Sequence, residues 1–197
     1  MSSIYFSYNP SDSEKPADQL VNDQILWQSI RKGNQLAFSS LYKKYVNVLY
    51  NYGMHIQADH DEVVDTIQEL FVNIWSRRES MAEVSKVKYY VFKSFKNLYV
   101  NRLQQERKLK GGLNDPLLSV SAEDSFEEEL ILSQTKQQQS KKLNAAVEHL
   151  TKRQKEAVLL KYYNEMTFTQ VATIMGISLE AVQNLLSKAI QLLRARM

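Results

Sequence analysis

Glu180, Gln183, Asn184, Ser187 and Lys188 recur three and four residues apart, so a helix through them would place all five on one face. Amide side chains such as Gln183 and Asn184 can make paired hydrogen bonds to adenine edges in a DNA major groove, and Lys188 can reach phosphate or guanine. The residues ahead of them spell out a helix-turn-helix. Ala172 is small enough to let a second helix approach, Gly176 supplies the tight turn, and Val182, Leu186 and Ala189 face inward. Thr167 with Gln170 forms a capping box before the first helix, and Ser178 caps the second. Such a module also serves protein interfaces, but basic surroundings favour DNA. The recognition face carries little positive charge, so this module alone should bind weakly.

A second constellation interleaves lysines with rings: Lys86, Lys88, Tyr89, Tyr90, Phe92, Lys93, Phe95, Lys96 and Tyr99. Lysines on phosphates and exposed rings under bases would suit a single strand. A basic helix whose rings are core packing explains the same residues equally well. Tyr90 and Phe95 are expected inside; Tyr89, Phe92 and Lys93 cannot all join them. Third, Asp61, Glu62, Asp65 and Glu69 line the early turns of another helix, where acids favour the helix dipole without any further role.

Enzyme chemistry finds little support. With no cysteine there is no thiolate nucleophile, disulfide or thiolate zinc site. His55, Asp59, His60 and Asp61 form the only cluster resembling metal ligands, and their spacing is not a standard zinc pattern, so neither metal nor cofactor is expected. There is no glycine-rich phosphate loop, nucleophile elbow or paired-carboxylate site for a small-molecule substrate. No apolar stretch approaches membrane-spanning length and the polar start is unlike a signal peptide, so a cytoplasmic protein is expected.

The elements that position these groups are predicted to be helices throughout, in two domains joined by a flexible linker. Five glycines and three prolines in 197 residues are few, and apolar residues recur at helical spacing. Residues 1–22 lack periodicity and form a disordered tail. Residues 23–108 make a bundle of four helices. The first carries Leu26, Trp27 and Ile30 and closes at Gly33. The second carries Ala37, Phe38, Leu41, Tyr42, Tyr45, Val46 and Leu49. The third buries Val64, Ile67, Leu70, Phe71, Ile74 and Trp75, and the fourth Tyr90, Val91, Phe95, Leu98 and Leu103. Residues 109–132 are an acidic linker, broken by Gly111, Gly112 and Pro116. Residues 133–197 hold the helix-turn-helix, preceded by a helix that Thr151 and Gln154 cap and that buries Ala157, Val158, Leu160 and Tyr162.

The net charge is only +3, but it is unevenly spread. Eight bases stand against one acid between Lys86 and Lys110, then six acids and no base between Gly111 and Leu132, then bases again from Lys136 to Lys155. Basic, acidic, basic is the pattern of two polyanion-binding modules on an acidic tether.

In this order the segments resemble the extracytoplasmic-function sigma factors, small two-domain members of the sigma-70 superfamily. Gly33 followed by Ala37-Phe38, Leu41-Tyr42 and Tyr45 looks like the first shared segment. Asp65, Gln68, Glu69, Phe71 and Trp75 match an Asp-x-x-Gln-Glu-x-Phe-x-x-x-Trp helix. Tyr90 to Asn97, with Asn101 and Arg102, resembles the promoter-melting helix, and Leu150 to Arg194 the promoter-reading domain. The sequence departs from the family at Gln183 and Leu185, where many relatives are basic, and at Asn101, commonly aspartate.

The resemblance implies the following roles. Asp61, Glu62, Asp65, Gln68 and Glu69 would dock on the clamp helices of core RNA polymerase. Arg77, Arg78, Lys86, Lys88, Tyr89, Lys93, Lys96, Asn97 and Arg102 would engage the minus-ten element, with the loop from about Ser76 to Ser85 capturing a flipped base. Thr167, Ser178, Glu180, Gln183, Asn184, Ser187 and Lys188 would read the minus-thirty-five element. The linker would thread toward the active-site and RNA-exit channels, and an anti-sigma factor would be a partner. A free-standing helix-turn-helix regulator is the alternative, and it would have no need of the acidic Asp65-to-Trp75 helix.

Overall fold

The computed structural model describes residues 22–56, 59–109 and 147–196. The expected N-terminal tail up to residue 21, and the acidic linker from residue 110 on, lie outside the described residues. The chain divides into two compact units, and every element described in either is helical.

The first unit is a bundle of α1 (Asp23–Arg31), α2 (Gln35–Ile56), α3 (His60–Ser76) and α4 (Val87–Leu109). Asn22 caps α1 by accepting from the Gln24 N–H at 3.0 Å. The chain then turns at Gly33, whose φ of +85° is one that side chains with a Cβ avoid. Asp59 caps α3 by accepting from the Glu62 N–H at 3.1 Å.

Trp27, Leu41, Leu49, Tyr52, Val63, Leu70, Phe92, Phe95 and Tyr99 are among the side chains sealed in the core. Two aromatic layers hold it. Phe38 and Tyr42 of α2 meet Phe71 and Trp75 of α3, the Tyr42–Phe71 pair in T-shaped contact at 4.9 Å. Tyr52 packs on Phe92 at 5.2 Å and Phe95 at 6.0 Å, and Phe95 stacks on Tyr99. The helices close on Gly53, where a Cβ would come within 2.6 Å of Val63.

Several details of the sequence reading are corrected; Trp75, Leu98 and Leu103, expected inside, are half-buried. Val63, not Val64, is the fully buried valine of α3, because the core-facing stripe runs Val63, Ile67, Leu70, Ile74. On α4, Phe92 is buried while Tyr90 is only half-buried. Tyr52 of α2 supplies the contact that draws Phe92 inward, and Tyr90 instead lies edge-on to Trp27 at 5.0 Å.

The second unit contains α5 (Lys152–Val158), which continues through a π turn (Leu159–Tyr163), then α6 (Phe168–Met175) and α7 (Leu179–Arg196). Both expected capping boxes are formed, Thr151 with Gln154 and Thr167 with Gln170. Tyr162, expected inside, is 53% exposed. The π turn is the reason. It lets the Asn164 N–H reach back to the Leu159 carbonyl at 2.9 Å, so Leu159 and Leu160 both turn inward and Tyr162 swings out.

Candidate nucleic-acid interface

Three faces gather the candidate residues, two on the bundle and one on the second unit. The first is the outer face of α3. Asp61, Asp65 and Gln68 are exposed; Glu62 and Glu69 are half-buried. Arg102 of α4 gathers three of these acids. Its Nε donates to Glu62 at 2.9 Å, Nη1 to Glu69 at 3.1 Å and Nη2 to Asp65 at 3.3 Å. The Glu62 hydrogen bond does most to push the guanidinium pKa up from its ordinary value, against a smaller opposing effect of burial. Arg102 therefore lies against the acidic face of α3, apart from the lysines with which the sequence grouped it. One turn beyond Gln68, Val72 is exposed and adds an apolar surface.

The second face joins α4 to the connection that precedes it. Lys86 and Asn97 are exposed, and Lys88, Tyr89, Lys93 and Lys96 are half-buried. By the helix repeat, Lys86, Tyr89, Lys93, Lys96 and Asn97 lie opposite the stripe formed by Val91, Phe95 and Tyr99. Lys93 Nζ sits 5.8 Å above the Tyr89 ring, which pairs a cation with a partly open aromatic surface. Arg77 ends α3, and its carbonyl accepts from the Ser80 and Met81 amides. Arg78 is committed locally. Its guanidinium lies over the Trp75 ring at 4.8 Å, donates to the Trp75 carbonyl at 2.9 Å and pairs with Glu79.

The third face is on α7. Glu180, Gln183, Asn184, Ser187 and Lys188 are all exposed, while Val182, Leu186 and Ala189 are buried against the preceding helices. Gly176 adopts the left-handed conformation at φ +64°, which ends α6 and starts the turn. Ser178 Oγ accepts from the Ala181 N–H at 3.1 Å, and Thr167 Oγ1 from the Gln170 N–H at 3.2 Å. These two hydroxyls are engaged as caps, with their protons left for a donor role. Lys161 props the start of α6, donating to the Met166 carbonyl at 3.1 Å with its ammonium over Phe168.

Two of the residues weighed as metal ligands are engaged in the bundle. Asp59 caps α3, and His60 Nδ1 is 2.9 Å from the Tyr50 hydroxyl. Sequence reasoning missed the side chains of α1 that reach the connection between α3 and α4. Gln24 Nε2 donates to the Ser85 carbonyl at 2.8 Å, the Trp27 indole to the Ala82 carbonyl at 3.3 Å, and Gln28 Nε2 to the Glu83 carboxylate at 3.0 Å. Their spacing of three and four residues was visible; their target was not.

Comparison with known proteins finds a family match in each of the two units. Residues 41–109 match sigma-70 region 2, and residues 140–193 match sigma-70 region 4. The ECF RNA polymerase sigma factor SigM of Bacillus subtilis (strain 168) is 24% identical over 161 residues, spanning 81% of this chain and 94% of that protein. Among solved structures, CnrH in complex with the cytosolic domain of CnrY superposes with a TM-score of 0.55 at 17% identity, covering 88% of this chain and 95% of that one. The sigma factor RpoE, solved with the anti-sigma factor NepR from Bartonella quintana, gives 0.50 at 18% identity over 78% and 93%. With both regions present in order, and a full-length relative of the same kind, the chain belongs to the sigma-70 family and is an RNA polymerase sigma factor of the extracytoplasmic-function type.

Proposed function

We propose that the three faces divide the work of promoter recognition. The α3 face docks on core RNA polymerase through Asp65, Gln68 and Glu69, with Asp61 and Glu62 beside them. The connection from Arg77 to Lys86 and the basic face of α4 engage the minus-ten element and hold it open. Helix α7 reads the minus-thirty-five element through Gln183, Asn184, Ser187, Lys188 and Glu180. Arg102 moves in this reading from the DNA set to the docking set, as the residue that groups the acids.

The observation that carries the reading is the acidic α3 face standing on the same bundle as the basic α4 face. A free-standing regulator of duplex DNA gains nothing from the acids, which repel phosphate. Melting then requires no hydrolysis and no catalytic group of this chain's own. A base leaving the duplex must recover a few kcal/mol of lost stacking and pairing from the protein. Lysines on the displaced strand add a sequence-independent, salt-sensitive share. An anti-sigma factor would regulate such a protein in the cytoplasm by covering these faces. Two structurally similar proteins were solved with partners, and for the sigma factor RpoE that partner is an anti-sigma factor, which supports that part of the reading.

Titration of the purified chain onto bacterial core RNA polymerase tests it, with Asp65→Asn/Gln68→Ala as the control variant. That pair leaves the Glu62–Arg102 bond in place, so the bundle stays folded. Tight binding weakened by about tenfold or more in the variant is expected. Equal binding by both proteins, or none by either with duplex DNA binding intact, sinks the docking assignment.

A further inference from the structure

We propose that Gln24 and Gln28 of α1 are positioning residues for base selection in the minus-ten element, acting through the loop that Arg77 to Lys86 forms. The inference rests on the reading that this loop receives an unpaired base. It goes beyond the region 2 match, which begins at residue 41 and leaves α1 out.

The loop is held differently at its two ends. Near α3 it is held by local turns, with Ser80 and Met81 amides on the Arg77 carbonyl and Arg78 over Trp75. Nearer α4, the carbonyls of Ala82 and Ser85 and the carboxylate of Glu83 are met from α1, 55 to 61 residues away in sequence. Gln24, Trp27 and Gln28 sit at i, i+3 and i+4, so one helix face makes all three contacts. That helix is itself fixed. Trp27 is 1% exposed, and Asp23 at the start of α1 binds Lys44 at 2.6 Å and the Tyr45 hydroxyl at 2.5 Å on α2.

Preorganisation gives the contacts their purpose. A loop that orders only when the base arrives loses backbone entropy at that moment, and the loss comes out of a small recovery of stacking and hydrogen bonding. A loop already shaped by α1 does not pay it. The contacts also fix the direction of the Glu83 side chain, because Gln28 occupies one carboxylate oxygen and leaves the other to face outward or to meet a base edge. Gln24 and Gln28 are exposed, so they contribute shape to the loop without forming part of the core.

The test uses the full chain assembled with core RNA polymerase and a duplex template library randomised through the minus-thirty-five and minus-ten segments. Transcribed templates are sequenced and the preference at each position is counted. Gln24→Ala/Gln28→Ala is expected to keep polymerase affinity and the minus-thirty-five preference, and to flatten one or two adjacent minus-ten positions by about tenfold. Gln28→Lys, which keeps a donor for Glu83, should hold the preference. Gln28→Glu, which sets two carboxylates together, should lose it. Unchanged minus-ten preference in the double variant overturns the inference. So does loss of polymerase binding, which would make α1 a support of the whole bundle. A wild-type holoenzyme without preference at any minus-ten position overturns the base-capture reading itself, and this inference with it.

Discussion

Arg102 Nε donates to Glu62 at 2.9 Å, joining the far half of α4 to the first turn of α3. The same guanidinium reaches Asp65 and Glu69 farther along α3, so one cation serves three carboxylates on two turns. With Glu62 19% and Arg102 29% exposed, water screens the group only partly. Arg102→Ala should cost about 1–2 kcal/mol in urea denaturation, between the values for exposed and buried pairs. Arg102→Lys should recover only part, because an ammonium cannot reproduce the fork of donors. Arg77→Ala, at an exposed position, is the comparison and should stay within about 0.5 kcal/mol.

Tyr45 links α2 to α1 through its hydroxyl on Asp23, and burial, then that bond, then the Asp23 charge raise its pKa well above the ordinary tyrosine value. The unfolded chain therefore loses this proton first as pH rises. The contribution is fully present below about pH 10 and is lost as pH climbs beyond it. Tyr45→Phe should cost about 1 kcal/mol near neutral pH. Its stability should then fall less steeply than wild type above about pH 10, as measured by chemical denaturation at a series of pH values.

Gly53 is placed where α2, α3 and α4 touch. Alanine is the better helix former by about 1 kcal/mol. Here its Cβ would meet both Val63 methyl groups, at 2.6 and 2.9 Å, and the Phe95 ring at 3.0 Å. Overpacking should win, so Gly53→Ala is expected to lower stability by about 1–3 kcal/mol and the thermal midpoint with it. A companion change, Val63→Ala, opens space and should restore part of the loss if the clash is the cause.

On α7, Lys188 and Gln183 should separate by their response to salt. Lys188→Ala removes one cation and should reduce the slope of log affinity against log salt by about 0.9. Gln183→Ala should leave the slope alone, cost about 1–3 kcal/mol and relax preference at one base pair. Holoenzyme binding to duplex promoter DNA at several salt concentrations distinguishes them; equal slope changes would argue that neither residue touches a base.

What the sequence made legible was local. Thr151 with Gln154, Thr167 with Gln170, and Gly176 with Ser178 are spaced by rules that act within one turn of helix, and each forms as read. The inward stripe of α7 follows the same periodicity. Arg102 stands apart from the lysines for a reason also visible in the pattern. It continues the stripe of Val91, Phe95 and Tyr99, so its side chain emerges toward α3, whereas the family resemblance had grouped it with Lys93 and Lys96. The burial of Phe92 depends on Tyr52 arriving from α2, and the contacts of Gln24 and Gln28 depend on a loop far along the chain. No periodicity records such pairings. The π turn is equally silent, since any run of apolar and aromatic residues through Leu159 to Tyr163 reads as ordinary helix.

That π turn has a consequence for kinship. Such a turn is what an α-helix becomes when it absorbs one extra residue without breaking. Relatives that run straight through this point would carry one residue fewer between Val158 and Asn164, yet keep the capping box at Thr167 and everything after it in the same place. Aligned by position in space, the two chains need a one-residue gap there; aligned by letters alone, they would slip, and Tyr162 would be equated with a buried neighbour it does not replace.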